Sequence, residues 1–483
     1  MTKIVLIYFD INTGYYPSFN HGLAAIIGQL RYIQTEVSLI HLSRTQDIIQ
    51  AVQKIKEKKP EVLGLSFSTN QKRYVKTLFE HLDVDPGFIV AGGVHATLVK
   101  EEVLQEFPRL NAICIGEADY SFPDLILRMQ QGKEILTTPG FYIRSDNEII
   151  MNPTSALRDI ESYAFPDYSL FDYGKIVTQS GYVFPMMLMR GCPYNCSYCC
   201  NHAIKEVYPN RHDYVRIPSV AKAMAIIKNN LMLFSKTQKI AFADDTFTLN
   251  KEWLYDFCSE YKKNINLPFI CNARVETING TVISALKDAG CISIDFGVET
   301  GNEWLRKNIL NRAHSNETIR ETFALADRAG IKSFSFNMVG LPFETPVMAK
   351  DTIRLNMEIK PNFGKCFYFF PYPGSKIYQL CKEYDLLASD LDSVSGYLDK
   401  PVIKPIFMTM AHTRVVYEKM QIFFYCRLLF SKMWVPKLVE WILIRIFFLL
   451  RRPMLMFLQP TKPNRLIERV RGIFRKYGLK YLR

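Results

Sequence analysis

The chain has 483 residues, of which 48% are hydrophobic and 22% are charged. This length excludes a single ordinary hydrophobic core, and the low Gly and Pro content indicates a protein that is folded throughout, in two or three domains. The net charge of +13 is uneven, because residues 431–483 hold thirteen Lys or Arg against two Glu and the rest of the chain is close to neutral.

The cysteines indicate the redox compartment. Eleven are present, and outside one loop they show no regular spacing, which favours a reducing compartment with mostly free, buried thiols. The first apolar run, Ile4 to Phe9, is too short for the core of a signal peptide and has the length of a buried strand. We therefore expect a cytoplasmic protein.

The first 115 residues alternate short apolar runs with longer helical stretches. This alternation predicts a doubly wound parallel sheet, whose ligands bind beyond the carboxyl ends of the strands. The predicted strands are Ile4–Phe9, Val37–Leu42, Val62–Phe67, Phe88–Ala91 and Ala112–Ile115.

Small and polar residues follow these strands directly. Each loop alone is equally well explained as a tight strand-to-helix turn, and His95 as a turn residue rather than a metal ligand. Taken together, the loops predict a ligand site whose candidate residues are Asn12, Ser66, Ser68, Gly92, Gly93, His95, Gly116 and Glu117.

A second alternating unit begins with the apolar run 183–189, which leads into a loop with a CxxxCxxC spacing formed by Cys192, Cys196 and Cys199. Three thiolates are one ligand short of a closed site, and an iron–sulfur cluster held by them would keep one iron free. The alternatives are three buried cysteines, or a zinc loop completed by Cys200 or His202. We leave Cys200 as a buried thiol or one that lies behind the ligands.

Five further strands separated by helices follow the cysteine loop, which predicts a partial barrel with its chemistry at the carboxyl ends of the strands. Polar residues collect at those ends. Any one of them could instead cap a helix or make a turn. The set includes Asp244, Asp245, Arg274, Glu276, Glu299 and Gly340.

At the cysteine loop the chain resembles the radical S-adenosylmethionine (SAM) enzymes, whose 4Fe-4S cluster binds SAM through its open iron. Later segments are similar to other pieces of that family, such as GVETG at residues 297–301 and VGLP at residues 339–342. The resemblance implies a radical SAM partial (β/α)6 barrel over residues 183–385. It also implies SAM contacts from Tyr198, Asp245, Arg274, Glu299, Arg312 and Gly340.

Residues 1–140 resemble the cobalamin-binding domain that precedes the barrel in one large group of these enzymes, with residues 141–182 as a connector. One feature departs from that pattern. The cobalt-ligating DxHxxG loop is absent, because Asp10 is followed by Asn12 at the histidine position and Tyr15 at the glycine position. Binding of cobalamin without a protein imidazole and loss of cobalamin both stay open.

The resemblance implies reductive cleavage of SAM to a 5′-deoxyadenosyl radical and cobalamin-dependent methylation of an unactivated carbon in a small-molecule or lipid-like substrate. An electron donor such as flavodoxin or ferredoxin is expected. The alternatives are an oxidative cyclase and, from another class, a membrane-associated sensor of SAM or cobalamin without catalysis. A methylthiotransferase is disfavoured, since the first half of the chain contains only Cys114.

Residues 386–483 are predicted to be a helical, basic and amphipathic region. Its apolar stretch at residues 436–450 is short and interrupted by Glu440 and Arg445, which disfavours a membrane span. A cover packed on the barrel and a peripheral helix on the inner face of a membrane are the main alternatives. Nucleic-acid binding through the basic residues is the least favoured.

Overall fold

The computed structural model describes residues 1–11, 18–146, 148–388, 400–430 and 437–450. Asn12, one of the predicted ligand residues, and most of the basic C-terminal stretch lie outside them. The described part forms two sheets, each surrounded by helices, followed by two C-terminal helices. The predicted α/β fold class is confirmed.

The first sheet has seven strands in the order β2-β1-β3-β4-β5-β6-β7, with β1 to β5 parallel. The order reverses between β1 and β3, which is where doubly wound sheets bind their ligands. Its strands are β1 Thr2–Phe9, β2 Thr35–Leu42, β3 Val62–Ser66, β4 Phe88–Gly92, β5 Ala112–Cys114, β6 Phe141–Ser145 and β7 Glu148–Met151. Its helices are α1 His21–Leu30, α2 Asp47–Lys58, α3 Lys72–His81, α4 Val94–Val99, α5 Glu101–Glu106 and α6 Ser121–Gln130.

The stretch predicted as a connector begins with part of this sheet. Strands β6 and β7 form an antiparallel hairpin, and β6 pairs with β5 at the sheet edge. The sheet therefore continues to Met151. The domain boundaries taken from the sequence stay predictions.

The second sheet has six parallel strands in plain sequence order, from β8 at one edge to β13 at the other. It curls into a half-barrel with the helices outside. Its strands are β8 Val183–Met186, β9 Lys239–Phe242, β10 Phe269–Ala273, β11 Cys291–Glu299, β12 Lys332–Val339 and β13 Phe363–Tyr368. The helices from the connector onwards are α7 Tyr173–Ser180, α8 Cys200–Glu206, α9 Val220–Leu233, α10 Lys251–Asn264, α11 Gly280–Asp288, α12 Asn316–Arg328, α13 Pro346–Ile359 and α14 Lys376–Glu383.

The loop-to-helix junctions of the barrel follow from local sequence. A Ser, Thr or Asn side chain accepts a hydrogen bond from a backbone N–H in the first helical turn, which otherwise has no partner within the helix. These capping residues are Ser219, Asn250, Asn279, Ser315, Thr345 and Ser375. They fix where each helix leaves the rim that carries the site.

The two sheets share one hydrophobic core. Phe19, which precedes α1, contacts Tyr168 and Phe171 of the connector and Phe184 of β8, with ring centroids 5.1 to 5.4 Å apart. Burial of such large rings is a major stabilising contribution. The connector thus holds the first domain in a defined position over the barrel.

The C-terminal helices are α15 Met410–Phe430 and α16 Lys437–Leu449. Helix α15 packs on the open edge of the barrel, where Met420 and Phe423 join a buried cluster with Cys366 and Tyr368 of β13. This supports the packed cover for α15. Among the described residues, none of the helices is long and apolar enough to cross a membrane.

Candidate active site

A buried carboxylate binds the backbone just before the cysteine loop. Asp244, directly after β9, accepts hydrogen bonds from the backbone N–H groups of Leu188 (2.9 Å) and Met189 (2.5 Å). Burial raises the pKa of Asp244 to about 7, against the lowering effect of these two bonds. The carboxylate therefore fixes the chain as it leaves β8 and enters the loop.

The cysteine loop also requires a glycine at position 191. Its φ is +76°, and an added Cβ would lie 2.3 Å from the carbonyl oxygen of Tyr214. Arg190 and Arg216 exchange two backbone hydrogen bonds of 2.9 Å beside it. Only glycine fits this backbone conformation next to another segment.

The three predicted cluster ligands line one cavity of about 500 Å³ at the carboxyl ends of the barrel strands, together with Tyr198, Asp245, Arg274, Glu299 and Arg312. Cys196 Sγ accepts a hydrogen bond from Arg274 Nη1 at 3.1 Å. Burial raises the pKa of Cys192 to about 11, so its thiolate requires a compensating positive charge such as iron.

The described residues contain no group of three or more His, Cys, Asp or Glu side chains around a point where one metal ion could bind. The zinc alternative needs such a point, whereas the cysteines of a 4Fe-4S cluster each bind a different iron. His202, considered as a zinc ligand, instead accepts a hydrogen bond from the backbone N–H of Lys376 (3.2 Å). His202 therefore contacts the start of α14.

Cys200 does not line the cavity and lies behind Cys199. A hydrogen bond between the two thiols, followed by burial, raises the pKa of Cys199 well above its usual value, and the same bond lowers the pKa of Cys200. Cys200 thus contacts the predicted ligand Cys199, and its own role stays a prediction.

One network joins three of the predicted SAM-contact residues. Tyr198 donates its hydroxyl proton to Glu299 Oε1 (2.8 Å), and Arg312 Nη1 donates to both Glu299 Oε1 and the Tyr198 oxygen at 3.0 Å. Burial raises the pKa of Tyr198 well above its usual value, so the hydroxyl stays protonated. Arg312 Nε and Nη2 are buried without a hydrogen-bond partner among the described residues. This half of the guanidinium suits a carboxylate, which accepts two parallel bonds.

Gly297 provides the room for that network. A Cβ at this position would lie 2.3 Å from Glu299 Oε1 and 2.9 Å from Arg312 Nη1. The absence of a side chain at Gly297 therefore allows Glu299, two residues later on β11, to reach Arg312.

Arg274 faces the cysteine side of the cavity. Besides Cys196, it donates from Nη2 to Glu276 Oε1 (2.6 Å), and its guanidinium lies 3.7 Å from the centre of the Tyr194 ring. Glu276 Oε1 is also 3.0 Å from His314 Nδ1. Burial alone would raise the pKa of Glu276, but His314 and Arg274 hold it far below its usual value. The structure thus places a positive charge against a predicted cluster ligand.

The two remaining predicted SAM-contact residues are placed differently. Asp245 lines the cavity, and burial raises its pKa. Gly340 does not line it. Its backbone N–H donates to Glu344 Oε2 (2.6 Å), its φ is +81°, and an added Cβ would lie 3.0 Å from Thr413 of α15. The assigned contact of Gly340 with SAM stays a prediction.

The predicted ligand loops of the first domain lie at the carboxyl ends of β3, β4 and β5. Ser68 bonds with Gln71 at the start of a helical turn, and His95 Nδ1 pairs with Thr69 Oγ1 at 3.0 Å. Ser66 Oγ accepts from Asn20 Nδ2 at 3.5 Å. These contacts fix the geometry of the loops, and the assignment of their residues to cobalamin stays a prediction.

Two glycines of these loops have backbone conformations that other residues rarely adopt. Gly93 has φ +97°, with an added Cβ 2.9 Å from the Phe67 carbonyl oxygen, and Gly116 has φ +83°, with an added Cβ 2.4 Å from the Tyr208 hydroxyl. Gly92 has no such clash, because its nearest neighbour would be Cys114 Cβ at 3.8 Å.

Glu117 points at the barrel domain. Its two carboxylate oxygens accept hydrogen bonds from Arg216 Nη2 and, at 3.0 Å, from the Tyr163 hydroxyl. Asp119 forms a parallel ion pair with Arg190 at 2.8 Å. Sequence patterns do not predict these interdomain pairs. The charged residue Arg190 just before the first cysteine is visible in the sequence, but the sequence does not show that Asp119 is its partner.

The first domain also touches the rim of the cavity. Asn70 Nδ2 donates to the hydroxyl of Tyr372 (3.1 Å), a residue that lines the cavity. An added Cβ on Gly374 would lie 2.7 Å from Leu98 Cβ of α4. The β3 loop and α4 therefore adjoin the mouth of the same cavity that holds the cysteines.

Comparison with known families agrees with this geometry. Residues 186–355 match the Radical SAM superfamily, and residues 10–126 match the B12 binding domain. The chain is a radical SAM enzyme with a B12 binding domain. Its cofactors are those of the two matched domains, namely a 4Fe-4S cluster, SAM and cobalamin, and like other radical SAM enzymes it requires a reductant and a substrate.

The named relatives of this radical SAM enzyme include two that differ in their reaction. An uncharacterized methyltransferase of Pyrococcus horikoshii is 24% identical over 77% of this chain and 80% of its own length. The anaerobic magnesium-protoporphyrin IX monomethyl ester cyclase of Rubrivivax gelatinosus is 24% identical over 68% of this chain, and the chain spans 60% of that enzyme. Relatives therefore include both a methyltransferase and a cyclase.

A solved structure shares the fold of the enzyme. The radical SAM methyltransferase TsrM of Kitasatospora setae, with cobalamin and a 4Fe-4S cluster bound, superimposes with a TM-score of 0.64 at 14% identity. The superposition covers 86% of this chain and 81% of TsrM. The fold of this enzyme is thus shared with a solved structure over most of both chains.

Proposed function

We propose that this radical SAM enzyme uses cobalamin to methylate an unactivated carbon of a small-molecule or lipid-like substrate. The observation that supports this most is one continuous cavity. It has the cluster cysteines on one side and Tyr372, which bonds to Asn70 of the B12 domain, at its mouth. Hydrogen abstraction and methyl delivery both require the substrate carbon to lie between these two places.

The residues of the chain have separable tasks in this scheme. When bound, the cluster and SAM supply the 5′-deoxyadenosyl radical, and cobalamin supplies the methyl group. Arg312 offers its free guanidinium edge to the SAM carboxylate, while Glu299 and Tyr198 orient that guanidinium. Arg274 balances the charge of the Cys196 thiolate. The barrel wall excludes water from the radical.

Cleavage of SAM by the anaerobically reconstituted enzyme with dithionite tests the radical half of this proposal. We expect 5′-deoxyadenosine from the wild type and none from Cys196→Ala. Cys258→Ala is the matched control, because Cys258 is buried in α10 away from the cavity, and it should retain activity. Full cleavage by Cys196→Ala would refute the cluster assignment.

The oxidative cyclase is the second candidate, favoured by the similarity to the Rubrivivax enzyme. Analysis of both SAM products separates the two. Methylation consumes a second SAM and yields S-adenosylhomocysteine, whereas cyclisation yields 5′-deoxyadenosine without it.

We further propose that a small electron carrier such as flavodoxin or ferredoxin reduces the cluster, and that the enzyme works in the cytoplasm. None of its eleven cysteines forms a disulfide, as expected in a reducing compartment. Slow reduction by both purified carriers compared with dithionite, under matched conditions, would argue against this electron source.

We also propose that the C-terminal region attaches the enzyme to the inner face of a membrane. It is supported by an apolar exposed stripe on α16, formed by Val439, Ile442, Ile446 and Leu449, and by the net +11 charge of residues 431–483. Co-sedimentation with vesicles containing phosphatidylserine tests it. The proposal would be contradicted if the phosphatidylserine vesicles sediment no more protein than neutral phosphatidylcholine vesicles or a sample without vesicles.

A further inference from the structure

The active-site cavity has two chemically different walls. The wall formed by the cysteine loop and by β10 and β11 carries charged and polar groups, which the proposed function assigns to the cluster and SAM. The opposite wall is built by β12, β13 and the segment that follows β13. We call it the aromatic wall, and it consists of Phe336, Met338, Phe367, Phe370 and Tyr372.

Strand alternation brings the aromatic wall together. Phe336 and Met338 are two residues apart on β12 and so point to the same face of the sheet. Met338 is opposite Phe367 in the register of β12 and β13. The rings of Phe336 and Phe367 are inclined by only 18°, with centroids 6.2 Å apart. Adjacent apolar side chains thus present one continuous surface to the cavity.

The aromatic wall is supported on its outer side and held at one end. Tyr368 follows Phe367 and faces the other side of β13, where its ring stacks on Tyr417 of α15 with a centroid distance of 4.1 Å and an angle of 19°. At the end of the wall, Tyr372 bonds to Asn70 of the B12 domain and packs on Phe370 with centroids 4.8 Å apart. The surface is therefore preorganised, and it runs from the barrel interior to the B12 domain.

The charged groups around the cavity are engaged with one another, including Lys365, which lies opposite Phe336 in the register of β12 and β13 and interacts electrostatically with Asp295. Arg312 pairs with Glu299, and Arg274 pairs with Glu276, on the opposite side. Asp295 on β11 lines the base of the cavity, and its charge is balanced in part by Lys365 of β13. Burial raises the pKa of Asp295 to about 7. A charged substrate group placed on the aromatic wall would lose its hydration, and the nearest cation of the wall strands, Lys365, already interacts with Asp295.

Size limits the substrate as well. A cavity of about 500 Å³ is within the usual range for one drug-sized ligand. Because SAM is itself such a ligand, only a small part of the substrate can enter beside it.

We propose that the part of the substrate that enters the barrel is an uncharged, apolar group of about the size of one or two rings, which lies on the aromatic wall. Charged parts of the substrate stay outside the cavity mouth. This inference rests on the proposed function for the position of SAM, and it extends that function by naming the chemical class of the reacting group.

A pair of dyes with the same ring skeleton tests the proposal. N-phenyl-naphthylamine is uncharged, and anilinonaphthalene sulfonate carries one negative charge. Both become fluorescent in apolar surroundings. With the holoenzyme saturated with SAM under anaerobic conditions, we expect saturable binding of the neutral dye at about one site and at least about tenfold weaker binding of the sulfonate. Equal or tighter binding of the sulfonate would overturn the proposal.

Variants locate the dye. Met338→Gln and Phe336→Asp should each weaken binding of the neutral dye, the second by at least about tenfold, while SAM affinity is retained. Met338→Gln keeps the test valid if a buried aspartate prevents folding. Phe407→Asp is the matched control, because Phe407 is 57% exposed and does not line the cavity. Unchanged dye binding in folded Met338→Gln, or loss of binding in Phe407→Asp, would overturn the proposal.

The dye experiment and the cleavage experiment fail independently. Absence of SAM cleavage by the wild-type enzyme would overturn the proposed function, whatever the dyes do. Displacement of the neutral dye by SAM, with cleavage intact, would place the dye on the SAM wall and overturn only the present inference.

Discussion

Arg190, two residues before the predicted cluster ligand Cys192, forms an ion pair with Asp119 of the B12 domain at 2.8 Å, and the two side chains are only 20% and 5% exposed. Burial raises the pKa of Asp119 despite the opposing charge of Arg190. The cysteine loop and the loop after β5 are thus tied directly to each other. This pair fixes the distance between the predicted sites of two cofactors.

Asp119→Asn is expected to loosen this connection. Breaking a buried ion pair leaves an uncompensated charge and costs about 3 kcal/mol of folding stability. We expect a lower cobalamin-to-protein ratio after gel filtration and a lower urea midpoint, with SAM cleavage largely retained. The control is Asp124→Asn, which breaks the more exposed pair with Arg128 in α6. If both variants keep equal amounts of cobalamin, the pair does not position the domain.

Glu299→Gln should weaken SAM binding. The substitution removes the charged acceptor shared by Tyr198 and Arg312, so the guanidinium loses its orientation. We expect affinity for SAM to fall by about tenfold with an unchanged iron content. Equilibrium dialysis and iron analysis measure the two effects. Glu317→Gln, at an exposed pair with Arg320, is the control, and equal SAM affinity in both variants would contradict the assignment.

Gly191→Ala should prevent cluster assembly. The added Cβ would overlap the Tyr214 carbonyl oxygen at a φ of +76°. We expect little iron and sulfide after reconstitution, while the far-ultraviolet circular dichroism stays that of the wild type. Gly280→Ala is a suitable control, because a Cβ there has no neighbour within 4 Å. Full iron incorporation by Gly191→Ala would show that the loop can rearrange.

His21 gives the stability a specific pH dependence. Burial, and then the charge of Arg190, lower its pKa from 6.5 to about 4. Between these two values the unfolded state binds more protons than the native state, so stability falls as the pH falls from 6.5 towards 4. The variant His21→Gln can keep a hydrogen bond to Tyr168. Between pH 7 and pH 5, its free energy of unfolding should fall by about 1 to 2 kcal/mol less than that of the wild type. Urea unfolding at pH 7 and pH 5 measures this change. An equal loss in both proteins would show that His21 does not cause the pH dependence.

The sequence predicted the parts of the site that depend on local order. The cysteine spacing and the polar residues at strand ends are short-range patterns, and parallel strands bring their carboxyl ends to one rim. Cys192, Glu299 and Arg312 accordingly line one cavity. Gly340 also follows a strand, yet its backbone bonds to Glu344 instead, because a strand end specifies a position and not a direction.

Long-range pairs were outside the reach of sequence patterns. Asp119 and Arg190 are 71 positions apart, and nothing in either segment specifies the other as its partner. The same holds for Tyr368 and Tyr417, which join β13 to α15. The bonds of the Glu117 carboxylate to Arg216 and Tyr163 were likewise not predicted, and the assignment of its loop to cobalamin stays a prediction. Such contacts depend on how the domains pack.

The products of SAM in a single anaerobic reaction test the central claim most directly. The holoenzyme, with cobalamin, its substrate and a reductant, should form 5′-deoxyadenosine and S-adenosylhomocysteine in equal amounts, together with a substrate that has gained one methyl group. Formation of 5′-deoxyadenosine without S-adenosylhomocysteine would contradict a cobalamin-dependent methyltransferase.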